Sequence, residues 1–186
     1  MTKEILDILR ETGVLMEGHY LLTSGRHSDK FLQCSQVLQY PDKAQKICGA
    51  MADLFRDCQV DTVVGPAMGG IILSYEVARA LGARAIYTEK QEGDMVLRRG
   101  FSVQPGEQVL VVEDVMTTGG SVRKVIDIIR ETGAQVVGVA AMVDRSGGAI
   151  DLGVPTRPLV TLEVQSWDPA DCPLCREGLD LIRPKN

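Results

Sequence analysis

The sequence predicts an α/β fold, a mostly parallel sheet flanked by helices. Short β-branched, apolar runs alternate with amphipathic stretches of helical period, and most of those stretches close on a glycine. Parallel neighbours need a crossover between them, and a helix between two strands supplies one.

From the N-terminus, Thr2 to Thr12 places Ile5, Leu6, Ile8 and Leu9 at helical spacing and stops at Gly13. A second helix starts at Pro41, a good first-turn residue, and sets Ala44, Ile47, Cys48, Met51, Leu54 and Phe55 on one face. Val60 to Val64 is β-branched and ends in Gly65-Pro66, a strand followed by a loop. Ile71 to Leu81 reads as a helix closed by Gly82, Ala85 to Tyr87 as a short strand, and Val109 to Val112 as a buried strand. Ser121 to Thr132 is a helix closed by Gly133, and Val136 to Val143 another strand. The stretch from about Gln91 to Gln108 is polar, with charges at Glu92, Asp94, Arg98 and Arg99, and is expected to be a mobile loop or an exposed hairpin.

At about 100–200 residues per domain, a chain of 186 residues is one domain, 1–186, large enough to bury a core without staples. Twenty Lys and Arg against 25 Asp and Glu leave a formal charge of −5, which argues against a protein that coats nucleic acid or anionic lipid by bulk attraction. A polyanionic ligand must be held locally. The apolar runs fall well short of the ~20 residues that span a bilayer, so no membrane segment is expected. Met1-Thr-Lys-Glu-Ile5 has no continuous apolar stretch of the kind a secretory signal needs, and the cytoplasm is the expected compartment.

The cysteines, at 34, 48, 58, 172 and 175, are odd in number and read as free thiols. Cys172-Pro-Leu-Cys175 is a CxxC, half of a zinc site or a redox pair. There is no second CxxC, and His19 and His27 are distant in sequence, so the expected reading is a capped turn leading into the C-terminal segment. No residue is assigned as a metal ligand.

The segment that carries chemistry runs from Val109 to Ser121. Glu113 and Asp114 follow a buried strand, where open α/β sheets bind their ligands. Thr117, Thr118, Gly119, Gly120 and Ser121 then offer hydroxyls and unobstructed N–H groups at the start of a helix, a phosphate-binding arrangement. The helix dipole alone contributes about 0.3–1 kcal/mol, so hydrogen bonds must carry most of such a site. Two carboxylates beside a phosphate nest make sense only if the ligand also presents hydroxyls or a metal. A plain strand-to-helix turn with Asp114 or a threonine as cap explains fewer of these residues.

Val111-Val-Glu-Asp-Val-Met-Thr-Thr-Gly-Gly120 resembles the phosphoribosyl-pyrophosphate signature of type I phosphoribosyltransferases. The resemblance implies transfer of a 5-phosphoribosyl group to a nitrogenous base with inversion at the anomeric carbon, with Mg²⁺ bound together with phosphoribosyl pyrophosphate. It gives Glu113 and Asp114 to the ribose hydroxyls, Thr117 to Ser121 to the 5-phosphate, and Asp114 a catalytic part. Gly18 to Gln33 resembles the N-terminal hood of the orotate-specific members, where a Ser-Gly-Arg turn precedes residues that border the base, Phe31 among them. Ala67, Met68, Gly69 and Gly70 fall where the family places its pyrophosphate loop. Arg145, in Met142-Val-Asp-Arg145, matches the segment that delivers an arginine to orotate, and a guanidinium suits an anionic base. The hood is expected to comprise about residues 1–40 and the C-terminal segment.

The sequence departs from the family in two lysines, whose places hold Gly69 and Thr23, and in the catalytic loop, which lacks a histidine. Its cations are Lys90, Arg98 and Arg99, expected to close over the pyrophosphate, across the interface of a homodimer as the resemblance implies; the alternative is a solvated hairpin. His19 is read as structural, and His27 either borders the substrate or is structural too. The function implied is orotate phosphoribosyl transfer in pyrimidine synthesis. The alternatives are the same reaction on a purine or uracil, and a regulatory protein that binds the ligand without turnover.

Overall fold

The computed structural model describes residues 2–22 and 24–184, so Met1, Thr23, Lys185 and Asn186 lie outside the described residues. The chain forms α1 (Thr2–Glu11), β1 (Leu15–Leu21), β2 (His27–Leu32), α2 (Ser35–Leu38), α3 (Pro41–Asp53), β3 (Thr62–Pro66) and α4 (Gly69–Leu81). It continues through β4 (Arg84–Gln91), β5 (Asp94–Leu97), β6 (Gln108–Met116), α5 (Gly120–Glu131), β7 (Gln135–Asp144), β8 (Thr156–Thr161), β9 (Ser166–Trp167) and α6 (Pro173–Arg176). No helix is long and apolar enough to cross a membrane among the described residues.

Six strands form the main sheet in the order β5-β4-β3-β6-β7-β8, parallel throughout except for the edge strand β5. Side chains of β6 alternate between two cores, as a period of two requires. Leu110 and Val112 pack with Ile47, Met51, Leu73 and Val77 of α3 and α4. Val109 and Val111 pack with Val122, Val125, Ile126 and Ile129 of α5. Helices α4 and α5 therefore cover opposite faces, and the chain reverses its winding between β3 and β6. The carboxyl ends of those two strands bound the crevice in which open α/β sheets place ligands.

A smaller sheet, β1-β2-β9, joins the N-terminal hairpin to the segment near the C-terminus. Ile5, Ile8, Leu9 and Val37, counted with the hood in the sequence, instead join the main core.

Two predicted boundaries moved for physical reasons. The strand expected over Val109–Val112 runs on to Met116, because ladder pairing with β7 continues from Glu113 opposite Ala141 to Met116 opposite Asp144 whatever the side chains carry. The strand expected from Val60 begins at Thr62, after Asp61 accepts the Gln108 N–H through Oδ2 at 2.8 Å. Of the two forms expected for the polar stretch, part is a hairpin: β4 and β5 pair through Glu89–Val96 and Lys90–Met95. Its tip is held to α5 by Lys124, whose Nζ donates to Gly93 O at 2.5 Å and Asp94 Oδ1 at 3.0 Å.

Candidate active site

Three neighbouring strands, β3, β6 and β7, end on the same edge of the sheet, and each delivers one part of the candidate site. Strand alternation separates the acidic pair. Asp114 projects to the α4 side, where its Oδ2 stands 2.5 Å from the position a Cβ of Gly69 would take. Glu113 takes the α5 side and, with Val115 to Val122, lines a concavity of about 60 Å³ at the start of α5.

The turn between β6 and α5 is built for an anion. Gly119 precedes the helix at φ +75°, where a side chain is strained and its Cβ would also lie 2.9 Å from Ile150. No side chain caps α5, so its first N–H groups remain for a ligand. Thr117, Thr118, Gly120 and Ser121 are exposed around them. The turn between β3 and α4 holds Ala67, Met68, Gly69 and Gly70; the Ala67–Met68 peptide is cis and Met68 is 82% exposed. A Cβ on Gly65 would lie 2.6 Å from Gly70 O, so this turn closes with backbone against backbone. Gly69, next to Gly70, lies against Asp114.

Arg145 follows β7 and its N–H donates to Met116 O at 2.9 Å, which ties it to the end of β6. Its Nε is buried and has no hydrogen-bond partner among the described residues. The loop after it is organised by buried Asp144, which accepts from Ser146 N and Oγ, both at 2.7 Å, and from Gly148 N at 2.9 Å. The sequence singled out Arg145 but not Asp144; an aspartate three residues before a Gly-Gly pair was the available signal.

Burial pushes the Glu113 carboxyl up to about 8, reinforced by the charge of Asp114 beside it. Cys34 reports the same electrostatics. Burial, then the negative charges of Asp114 and Glu113, push its thiol up, against the opposing charge of Arg145. The chain beyond β2 therefore passes within electrostatic reach of the acidic pair. Phe31, three residues earlier on β2, stacks on Tyr20 with centroids 5.7 Å apart.

Lys90, Arg98 and Arg99 stand apart from this cluster. No ion pair joins them to Glu113 or Asp114 among the described residues, and Arg99 is engaged by Glu89 at 2.8 Å. Strand β4 continues three residues past the end of its pairing with β3, which carries the hairpin about 10 Å beyond the strand ends where the acidic pair lies.

Residues 33–167 match the family model for a phosphoribosyl transferase domain. The chain is similar to orotate phosphoribosyltransferase of Caldicellulosiruptor bescii, 54% identical over 179 residues, 96% of this chain and 94% of the relative. The orotate phosphoribosyltransferase of Thermotoga maritima is 51% identical over 180 residues, 97% and 96% of the two chains. Among solved structures, orotate phosphoribosyltransferase from Aeropyrum pernix superposes with a TM-score of 0.70 at 25% identity, over 86% of this chain and 94% of that one. The Mycobacterium tuberculosis H37Rv enzyme in complex with inorganic phosphate gives 0.71 at 26%, over 87% and 95%. With an acidic pair between two glycine turns at the reversal point of the sheet, and with relatives that match along nearly its whole length, the chain belongs to the phosphoribosyltransferase family.

Proposed function

We propose that the chain transfers the 5-phosphoribosyl group of phosphoribosyl pyrophosphate to orotate, releasing pyrophosphate and forming orotidine 5-phosphate. The observation that carries this reading is the placing of Glu113 and Asp114 between two helix-starting turns. One turn, Thr117 to Ser121, suits a terminal phosphate, and the other, Ala67 to Gly70, the pyrophosphate. The carboxylates accept hydrogen bonds from the ribose diol between them. As the bond from the anomeric carbon to pyrophosphate breaks, positive charge grows on the sugar ring, and the carboxylate of Asp114 favours it. The new bond forms from the base nitrogen on the opposite face.

Arg145 supplies the base specificity. A buried guanidinium N–H without a partner among the described residues is costly, and the carboxylate of orotate satisfies it. Oxygen donors from two carboxylates suit Mg²⁺, and Asp114 and Glu113 are the residues that would approach it; the ion makes pyrophosphate a better leaving group. Lys90, on the hairpin beyond the end of β3, and Arg98, just after β5, are both exposed and are assigned to the pyrophosphate. We place the enzyme in the cytoplasm, since a substrate of this charge does not cross a bilayer unaided. A homodimer is supported by the apolar face at the start of α4, where Met68, Ile72 and Tyr75 are 82%, 44% and 63% exposed.

The test is a panel of bases incubated with phosphoribosyl pyrophosphate and Mg²⁺. Orotate is expected to support pyrophosphate release, and uracil, adenine and hypoxanthine are not. Turnover of another base in preference to orotate, or binding with no release for any base, would overturn the assignment.

A further inference from the structure

The fold brings together four residues that lie far apart in the chain and outside the active site. His19 of β1, His27 of β2, and Cys172 and Cys175 at the two ends of the CxxC present one ligand atom each, all within 4.8 Å of one another. His19 Nε2 lies 2.9 Å from His27 Nδ1, 3.5 Å from Cys172 Sγ and 3.7 Å from Cys175 Sγ, and Cys175 Sγ lies 3.2 Å from His27 Nδ1. Around a tetrahedral zinc ion with ordinary bond lengths, two nitrogens stand about 3.3 Å apart and a nitrogen and a sulfur about 3.6 Å. We propose that His19, His27, Cys172 and Cys175 form a structural Zn²⁺ site that fastens the C-terminal segment to the hood.

Ring tautomers agree with that assignment. Nδ1 of His19 donates to Leu179 O at 2.9 Å, which fixes the lone pair on Nε2 and turns it toward the cluster. A hydrogen bond between the two rings would account for the 2.9 Å approach alone. It leaves unexplained two sulfurs converging on the same Nε2, whose lone pair has one direction. A central cation explains all four approaches. Two thiolates, two imidazoles and no open position specify a closed zinc site rather than a catalytic one.

The packing supplies a second, independent argument. From Cys175 to Arg183 every residue is exposed, including Leu179, Leu181 and Ile182 at 49%, 37% and 47%. Yet the segment is held in register against β1: Ile182 N donates to His19 O at 2.8 Å and Leu21 N to Ile182 O at 2.9 Å. Apolar burial does not hold it, and small elements without a core are ordinarily held by a metal or a disulfide. The two histidines fall in the hood sheet, with His27 four residues before Phe31 on β2. The ion would brace the strand that borders the base without entering the reaction.

The experiment is metal analysis of the full-length protein purified without added chelator, followed by removal of metal and titration with Co²⁺. About one zinc per chain is expected. Co²⁺ is expected to give the thiolate charge-transfer absorption and the intense visible bands of a tetrahedral site. Cys175 is exposed, so Cys175→Ser is the variant that leaves packing intact; it should lose the charge-transfer intensity from one thiolate and bind zinc at least tenfold more weakly. Metal removal from the wild type should lower the melting temperature by several degrees, and zinc should restore it. Less than a tenth of an equivalent of zinc with no cobalt absorption would overturn the proposal. So would a Cys172–Cys175 disulfide in protein kept under cytoplasm-like reducing conditions.

Discussion

Oδ2 of Asp114 and the α-carbon of Gly69 are packed so closely that a Cβ on residue 69 would lie 2.5 Å from the carboxylate. Asp114 can therefore keep this position only while residue 69 has no side chain. Gly69→Ala should leave stability within about 1 kcal/mol, because a carboxylate end can swing aside. Displacing that carboxylate should raise the KM for phosphoribosyl pyrophosphate about tenfold, a loss of about 1.4 kcal/mol. Steady-state kinetics beside thermal melting separate the two effects. Gly65→Ala is the contrast: its Cβ meets Gly70 backbone at 2.6 Å, which cannot swing, so about 1–3 kcal/mol of stability should be lost.

Glu113 makes the stability of the ligand-free protein depend on pH. Its carboxyl is raised by burial from 4.5 to about 8, so the native state keeps a proton that the unfolded chain releases over that interval. Stability should therefore fall as pH rises from 4.5 toward 8. Glu113→Gln, neutral at every pH, should remove this contribution. Denaturant midpoints from pH 5 to 8 for both proteins check it; equal slopes for the two would contradict the buried, proton-holding Glu113.

Arg145 should govern the base and not the sugar. Arg145→Ala should cost about 1.5–3 kcal/mol toward orotate, roughly ten- to a hundredfold in kcat/KM, with the KM for phosphoribosyl pyrophosphate little changed. Asp144→Ala should act on the same parameter by releasing the loop that Ser146 and Gly148 tie down. Because it also removes three hydrogen bonds accepted by a buried carboxylate, it should lower stability by about 1–3 kcal/mol. Orotate saturation curves at fixed phosphoribosyl pyrophosphate distinguish the two.

The three hairpin cations should not be equivalent. Arg99 is held by Glu89, so Arg99→Ala should disturb the hairpin more than the chemistry. Lys90→Ala and Arg98→Ala should lower kcat with little change in melting temperature. Unchanged turnover in both would remove the hairpin from the mechanism.

The main sheet and its helices were legible because their signals are local: the face from Ala44 to Met51 is buried as its spacing requires, and Gly82 closes α4 in a left-handed turn. The phosphate nest was legible for the same reason, being contiguous from Glu113 to Ser121. What the sequence hid is what folding joins over long distances. Nothing near Gly69 indicates that Asp114 will lie against it. Cys172 and Cys175 read as a lone CxxC because their neighbours, His19 and His27, stand about 150 residues away, in a hairpin whose pairing with β9 through β2 no periodicity reveals. The edge strand β8, interrupted by Pro158, also went unread, since proline is tolerated at an edge but breaks the strand pattern.

The central claim is that Asp114 holds the ribose while the sugar is transferred to orotate. Its most direct test is the rate of orotate consumption with phosphoribosyl pyrophosphate and Mg²⁺, measured for the wild type and for Asp114→Ala of equal thermal stability. The wild type should consume orotate in step with pyrophosphate release, and the variant should lose about 1.5–3 kcal/mol of transition-state binding, roughly ten- to a hundredfold in kcat/KM. Wild-type kinetics in the variant, or no orotate consumption by the wild type, would contradict the account.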